Sequence, residues 1–243
     1  MSNRRDIPSW SLVVGVFALF WGLLIPTIGS AQPRSGTVRP PLVEIGGGLD
    51  WVGVSDLGTP DATMTRNEPG TPTRFTFFKV DGQIPTAVSL KTWVGVNVSP
   101  TWGIEGGFQY SRPTIRATIS GDAEGVESSA VSVGSFSQYL TEANFILHAN
   151  AGRFDQQQTV PFLLAGAGYL RQRDREKVQT ETGRIYQVGF GFKWVAGISR
   201  SRRARGPGMR LDLRYVVRDG GFDFHENARR SFVTAGLTAL MAF

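Results

Sequence analysis

Eight stretches of the chain alternate apolar and polar residues at period two, there is no cysteine to staple a smaller fold, and glycine makes up 30 of 243 residues. A strand sends successive side chains to opposite faces, and that much glycine suits strands that twist and curl. The sequence therefore predicts an all-β protein, an eight-stranded antiparallel up-and-down barrel. Charges keep to one parity in strand after strand, which leaves the other face apolar. Lipid outside and polar residues inside give a transmembrane barrel that pattern.

The chain begins differently. Arg4 and Arg5 supply a positive start, residues 12–25 are apolar, Pro26 breaks the run, and Gly29, Ser30 and Ala31 are small. That is the layout of a secretory signal. The run is short for a helix that spans a membrane, which takes ~20 residues. Cleavage after Ala31 is expected, leaving 243 − 31 = 212 residues. These carry 26 − 2 = 24 basic and 20 − 1 = 19 acidic residues, a net charge of +5. The excess is too mild and too scattered for a nucleic-acid surface. Without cysteine, an exported protein has no disulfides and depends on a hydrogen-bonded framework. Residues 32–41 read as a flexible lead-in, and 42–243 as one barrel domain.

The first strand, 42–53, puts Val43, Ile45, Gly47, Leu49 and Trp51 outward, against Glu44, Gly46, Gly48, Asp50 and Val52. Residues 54–85 lack alternation and read as a long loop, in which 74–80 extends the neighbouring strand. The second strand, 86–98, sends Val88, Leu90, Thr92, Val94, Val96 and Val98 outward and Lys91 and Trp93 inward. Ser99, Pro100 and Thr101 form a tight turn, because proline fixes a turn dihedral. The third strand, 102–112, alternates Trp102, Ile104, Phe108 and Tyr110 with Glu105 and Gln109. A Gly- and Ser-rich acidic loop is expected over 113–135.

Strand four, 136–149, carries Tyr139, Thr141, Ala143, Phe145 and Leu147 on one face and Glu142, Asn144 and His148 on the other. Strand five, 160–171, has two apolar faces, so its parity stays open; Pro161 sits at its start as an edge-tolerated position. After polar residues 172–183, strand six, 184–198, alternates Tyr186, Val188, Phe190, Phe192 and Trp194 with Gln187, Gly189, Gly191, Lys193 and Val195. Residues 199–208 hold Arg200, Arg202, Arg203 and Arg205. Strand seven, 209–218, has one admissible orientation, with Arg210, Asp212, Arg214 and Arg218 inward, since an Arg or Lys at the lipid midplane costs ~2–4 kcal/mol. A last loop over 219–230 leads to strand eight, 231–243, with Val233, Ala235, Leu237, Ala239 and Met241 facing lipid.

Connections are longest after strands one and three and shortest after strand two, as in barrels with long outer loops and short periplasmic turns. Aromatic residues such as Trp51, Trp102, Tyr110, Tyr169, Trp194 and Phe243 sit near strand ends, where amphipathic rings favour the headgroup level. A soluble β-sandwich or lipocalin-like barrel has the same periodicity. The signal and the aromatic ends favour the membrane.

Two segments, Glu142-Ala143-Asn144-Phe145-Ile146-Leu147 and Val160-Pro161-Phe162-Leu163-Leu164-Ala165-Gly166-Ala167-Gly168, carry a resemblance. An Asn-plus-apolar strand, a short connection and Pro-aromatic-x-x-x-Gly-x-Gly make the chain similar to small outer-membrane β-barrel proteins of Gram-negative bacteria, the OmpA-type transmembrane domain and its porin-like relatives. The resemblance implies location in the cell outer membrane, with lipid and lipopolysaccharide as surroundings. It also implies that Phe243 is the C-terminal aromatic recognised by the outer-membrane assembly machinery. Met241 stands where the family often has Tyr.

The inward charges are Glu44, Asp50, Glu105, Glu142 and Asp212 against Lys91, Lys193, Arg210 and Arg214. A barrel of eight strands has an interior that side chains just fill, and buried charges must be paired. A structural or surface-interaction role with a plugged interior is the first expectation. A small porin-like channel for ions or solutes, opened by re-pairing those charges, is the alternative.

A barrel hydrolase acting on lipid comes third. His148-Ala149-Asn150 is similar to the His-x-Ser of lipid A deacylase barrels, with Asn150 in place of the nucleophilic Ser. His225, with Asp223 and Glu226, reads as loop polarity, because no Ser or Cys nucleophile is placed beside it. No enzymatic activity, cofactor, metal or nucleic-acid partner is expected, and the protein is expected to be a monomer. Gly46-Gly47-Gly48 and Gly189-Phe190-Gly191 precede no helix and so make no phosphate loop. They read as places where strands bend or aromatic side chains lie across the backbone. The 200–205 arginines read either as a contact for anionic phospholipid or as a solvated turn.

Overall fold

The computed structural model describes residues 41–66, 73–121, 127–148, 159–174, 180–198, 204–223 and 228–243. Residues 1–40, with the expected signal and most of the lead-in, lie outside them. Twelve strands and no helix occur among the described residues. They are β1 (Val43–Val52), β2 (Ser55–Gly58), β3 (Asp61–Arg66), β4 (Thr73–Ile84), β5 (Ala87–Asn97), β6 (Trp102–Ser111), β7 (Thr114–Ser120), β8 (Ser129–His148), β9 (Thr159–Asp174), β10 (Thr180–Ile198), β11 (Ala204–Gly220) and β12 (Arg229–Ala242).

Eight of them close a ring, in the order β8-β6-β5-β1-β12-β11-β10-β9 and back to β8, every pair antiparallel. These are the eight strands expected, and β12 closes onto β1 from Glu44–Ala242 to Val52–Thr234. The ladder from Val52 runs through Thr234, Arg214, Gly189, Leu164, Ile146, Gly103 and Asn97, whose N–H donates to the Leu42 carbonyl. It returns ten residues lower (52 − 42), the stagger that tilts strands in a closed barrel. Closure removes both sheet edges, so backbone groups are satisfied without water.

The Ser99–Thr101 turn forms as expected. Ser99 Oγ accepts the N–H groups of Thr101 and Trp102, each at 3.1 Å.

The loops need correction. Residues 54–85 contain β2, β3 and β4, and 113–135 contain β7 and the first part of β8. Together they make a second sheet beyond the barrel, with β4 between β2 and β3 on one side and β7 on the other, and β7 paired to β8. β4 covers the expected 74–80 extension and stops at Ile84, before Pro85. The charged stretch 172–183 is shorter than expected, since β9 reaches Asp174 and β10 starts at Thr180. β11 starts at Ala204, inside the stretch expected to connect strands six and seven, and β11 and β12 likewise run into 219–230.

β9 has a definite parity. Val160, Phe162, Leu164, Leu170 and Gln172 are buried, while Ala165, Ala167 and Tyr169 are exposed. Pro161 pairs with Phe192 of β10 and lies one residue beyond the last β8–β9 pair, His148–Phe162. Its missing N–H therefore interrupts no β8 pairing among the described residues.

Candidate functional site: a charged lumen between apolar layers

Parity makes the site. The nine charges expected to form the lumen network are all buried: Glu44, Asp50, Lys91, Glu105, Glu142, Lys193, Arg210, Asp212 and Arg214. Removing carboxylates and cations from water costs several kcal/mol per ion unless each meets a partner, and the barrel brings those partners from different strands.

Nearest the end where Leu42 and Phe243 lie, Lys193 Nζ of β10 donates to Glu44 Oε1 of β1 at 2.5 Å. Asn97 Nδ2 adds a donor to the same oxygen at 3.1 Å. Further in, Arg210 of β11 donates through Nη1 to Glu105 of β6 and through Nε to Asp212 Oδ2 at 3.0 Å. Its guanidinium carbon lies 4.7 Å from the Trp93 ring centre and 4.6 Å from that of Phe162. A cation desolvated between two aromatic faces gains from both ring quadrupoles.

Arg214 joins the next level, donating from Nε to Asp212 Oδ1 at 2.5 Å and from Nη1 to Glu142 Oε1 at 2.7 Å. Gln187 and Asn144 supply further amide donors to Glu142, at 3.0 and 3.2 Å. Lys91 Nζ lies 3.4 Å from both Asp50 Oδ2 and Glu142 Oε1.

Glycine makes room for this packing. A Cβ at Gly46 would fall 2.5 Å from the Trp93 ring, and one at Gly191 2.6 Å from Phe162 Cζ. Gly46 and Gly191 therefore admit the two rings that hold Arg210. This is the expected case of aromatic side chains lying across glycine backbone.

Sequence reasoning missed the apolar layers. One ladder step beyond Arg214 and Glu142, the residues Leu140, Leu170, Ile185 and Val216 form a buried cluster that Phe232 joins. At the other end Trp93, Val160, Val195, Ala204, Leu240 and Ala242 pack together. A third cluster, Leu57, Ile84 and Phe136 with Ile115 and Phe222, fastens the second sheet over the barrel. Inward parity was the available signal for Leu140, Ile185 and Val216. Between Glu44, Glu105, Lys193 and Arg210 lies a cavity of about 10 Å³, room for about one water.

Outside, the belt is apolar: Leu49, Leu90, Val94, Ile104, Phe108, Phe192, Leu211, Leu213, Leu237 and Met241 are exposed. Trp102 stacks on Phe145 at one end, and Tyr110 meets Tyr139 at the other. Phe243 is exposed, with its N–H donating to the Val43 carbonyl and its carbonyl accepting from Leu42.

The remaining candidates do not join the network as a catalytic set. His148 is buried in β8 near Lys193 and Glu44, and among the described residues neither ring nitrogen has a hydrogen-bond partner. Asn150, His225, Glu226, Arg200, Arg202 and Arg203 lie outside the described residues. Asp223 accepts both hydrogen bonds of an Arg230 fork, at 2.8 and 3.0 Å. Arg205 lies exposed in β11.

A closed eight-stranded antiparallel barrel with an apolar belt outside and ion pairs inside defines the class of transmembrane β-barrels. No protein-family model matches the chain. No curated protein matches it either. Among solved structures it is similar to Neisserial surface protein A at 10% identity, covering 83% of this chain and 97% of that one, with a TM-score of 0.46. It is also similar to the outer membrane protein OprG from Pseudomonas aeruginosa (13% identity, 85% and 95% covered, TM-score 0.41). A third is the outer membrane protease OmpT from Escherichia coli (10% identity, 87% and 100% covered, TM-score 0.39).

Proposed function

We propose that the chain is a monomeric outer-membrane barrel with a structural or surface-interaction role. Its lumen is a plug, and its second sheet is the part that extends beyond the bilayer. The observation that carries this reading is the pairing of Arg210 with Glu105 across the lumen, clamped by Trp93 and Phe162 and covered by the Leu140–Val216 layer. Residues 1–31 serve as its export signal and Phe243 as its assembly signal.

Protease treatment of intact cells, followed by outer-membrane fractionation and an unheated gel, tests the reading. A heat-modifiable band in the outer membrane, clipped from outside within 54–85 or 113–135, is expected. A soluble periplasmic product without that band shift contradicts it.

One observation favours a small gated channel as the second reading. Lys91 is shared between Asp50 and Glu142 at equal distance, the arrangement that re-pairing requires.

A further inference from the structure

We propose that the cavity at the mouth of the barrel, lined by Arg218 of β11 and Ser55 of β2, is a binding site for a monatomic halide such as chloride. The inference goes beyond the proposed role and depends only on the barrel and its second sheet.

Parity and register build the cavity. Arg218 lies opposite Ile185 of the lumen's apolar layer and is 2% exposed. Leu170 and Phe232 bring that layer to the cavity, and Ile84 brings the Leu57–Phe136 cluster of the second sheet to it. Ser55, paired with Ile84, is buried beside them.

Two polar atoms of these lining residues are orphaned. Arg218 Nε and Ser55 Oγ are buried and have no hydrogen-bond partner among the described residues. A buried donor without an acceptor costs free energy, most of all when it is charged. The polar side chains lining the cavity are the Arg218 guanidinium, the hydroxyls of Ser55 and Ser111 and the Gln138 amide; none of the described lining residues is a carboxylate. The site is rich in donors and short of acceptors.

Charge separates an anion from a water. Among the described residues Arg218 has one carboxylate within ion-pair distance, Asp223, at 3.6 Å from Nη2. Both oxygens of Asp223 already accept from Arg230, at 2.8 and 3.0 Å. Asp56 lies 3.8 Å from Arg230 with its side chain 65% exposed, where solvent screens the pair. Two arginines thus share one buried carboxylate, and the charge of Arg218 is only partly balanced. A desolvated cation gains more from a counter-ion than from a neutral dipole.

Size separates the anions. The cavity is about 20 Å³, and a particle the size of water takes about 10–15 Å³. A halide fits that space, whereas phosphate, sulfate or a carboxylate needs room for several heavy atoms. A halide also accepts from any direction, which suits donors carried by different strands.

The test compares sodium chloride with sodium gluconate at equal ionic strength, on the full folded chain in neutral-detergent micelles, by urea unfolding midpoint. A ligand that binds the folded state alone stabilises it as its concentration exceeds Kd. The wild-type midpoint is expected to rise with chloride along a binding curve. Ser55→Ala is expected to weaken the apparent chloride affinity about fivefold, the loss of one hydrogen bond. Arg218→Met is expected to abolish the chloride increment, and Arg229→Ala, at an exposed arginine, to keep it. Crystals grown in sodium bromide are expected to show an anomalous peak beside Arg218 and Ser55. Water alone at that place overturns the site, as does a chloride increment in Ser55→Ala equal to that of the wild type. A bromide peak without any chloride-dependent midpoint marks an adventitious ion only and overturns it too. Because Ser55→Ala leaves Arg218 in place, its result stands even where Arg218→Met fails to fold.

Discussion

Arg210 and Glu105 sit on β11 and β6, four strands apart whichever way the ring is followed, and their side chains nevertheless meet in a direct ion pair. A side chain from each wall spans the lumen at its widest separation. Arg210→Met leaves Glu105 buried without its cation, and breaking a buried pair costs about 3–5 kcal/mol. Urea unfolding in micelles is expected to show that loss for the single variant. The double variant Arg210→Met, Glu105→Leu is expected to recover most of it, because replacing both partners by apolar groups leaves no orphaned charge.

Lys91 is the cation within ion-pair distance of Asp50, at 3.4 Å. Lys91→Met is therefore expected to destabilise the barrel, and Asp50→Asn to be less harmful in that background than in the wild type. A double-mutant cycle read by urea midpoints should give a favourable coupling of about 0.5–3 kcal/mol. Zero coupling would show that the contact carries no energy.

Two glycines, one in β1 and one in β6, make a matched pair. A Cβ at Gly46 collides with the Trp93 ring, while one at Gly106 meets nothing within 4 Å. Gly46→Ala is expected to cost about 1–3 kcal/mol by overpacking. Gly106→Ala, on the lipid face, is expected to be neutral or mildly stabilising. The difference in unfolding midpoint measures how tightly the Trp93–Arg210–Phe162 stack is packed.

Leu211 and Val88 are similarly exposed, at 57% and 61%, yet they lie at different depths. Leu211 pairs with Leu237 in the middle of β11, and Val88 pairs with Trp51 near the start of β5. In a bilayer, Leu211→Arg should cost about 2–4 kcal/mol and Val88→Arg about 0–1 kcal/mol. In a water-soluble barrel the two substitutions would cost the same. Unfolding titrations in phospholipid vesicles separate these outcomes.

How readable each part was depended on whether a strand separates two solvents. β5 and β11 have lipid on one side and buried charge on the other, so Lys91, Arg210, Asp212 and Arg214 stood out against Val88, Leu211 and Leu213. β9 packs Phe162 and Leu164 inward and presents lipid-compatible residues outward, and two apolar faces carry no parity signal. β2, β3, β4 and β7 form a sheet beyond the barrel, where alternation has little to report and Thr, Gly and Ser read as loop. The inward charges were legible one at a time. Which of them meet was not, because Arg210–Glu105 and Lys193–Glu44 depend on the barrel's stagger, a property of the closed ring.

Ion conduction by the folded wild-type chain in planar bilayers tests the central claim most directly. With Arg210 tied to Glu105 across the lumen and the Leu140–Val216 layer above it, insertion should give no steady conductance at any moderate voltage, and Arg210→Met should create an unstable leak. A reproducible open level in the wild type, altered by Lys91→Met, would contradict the plug and establish a channel.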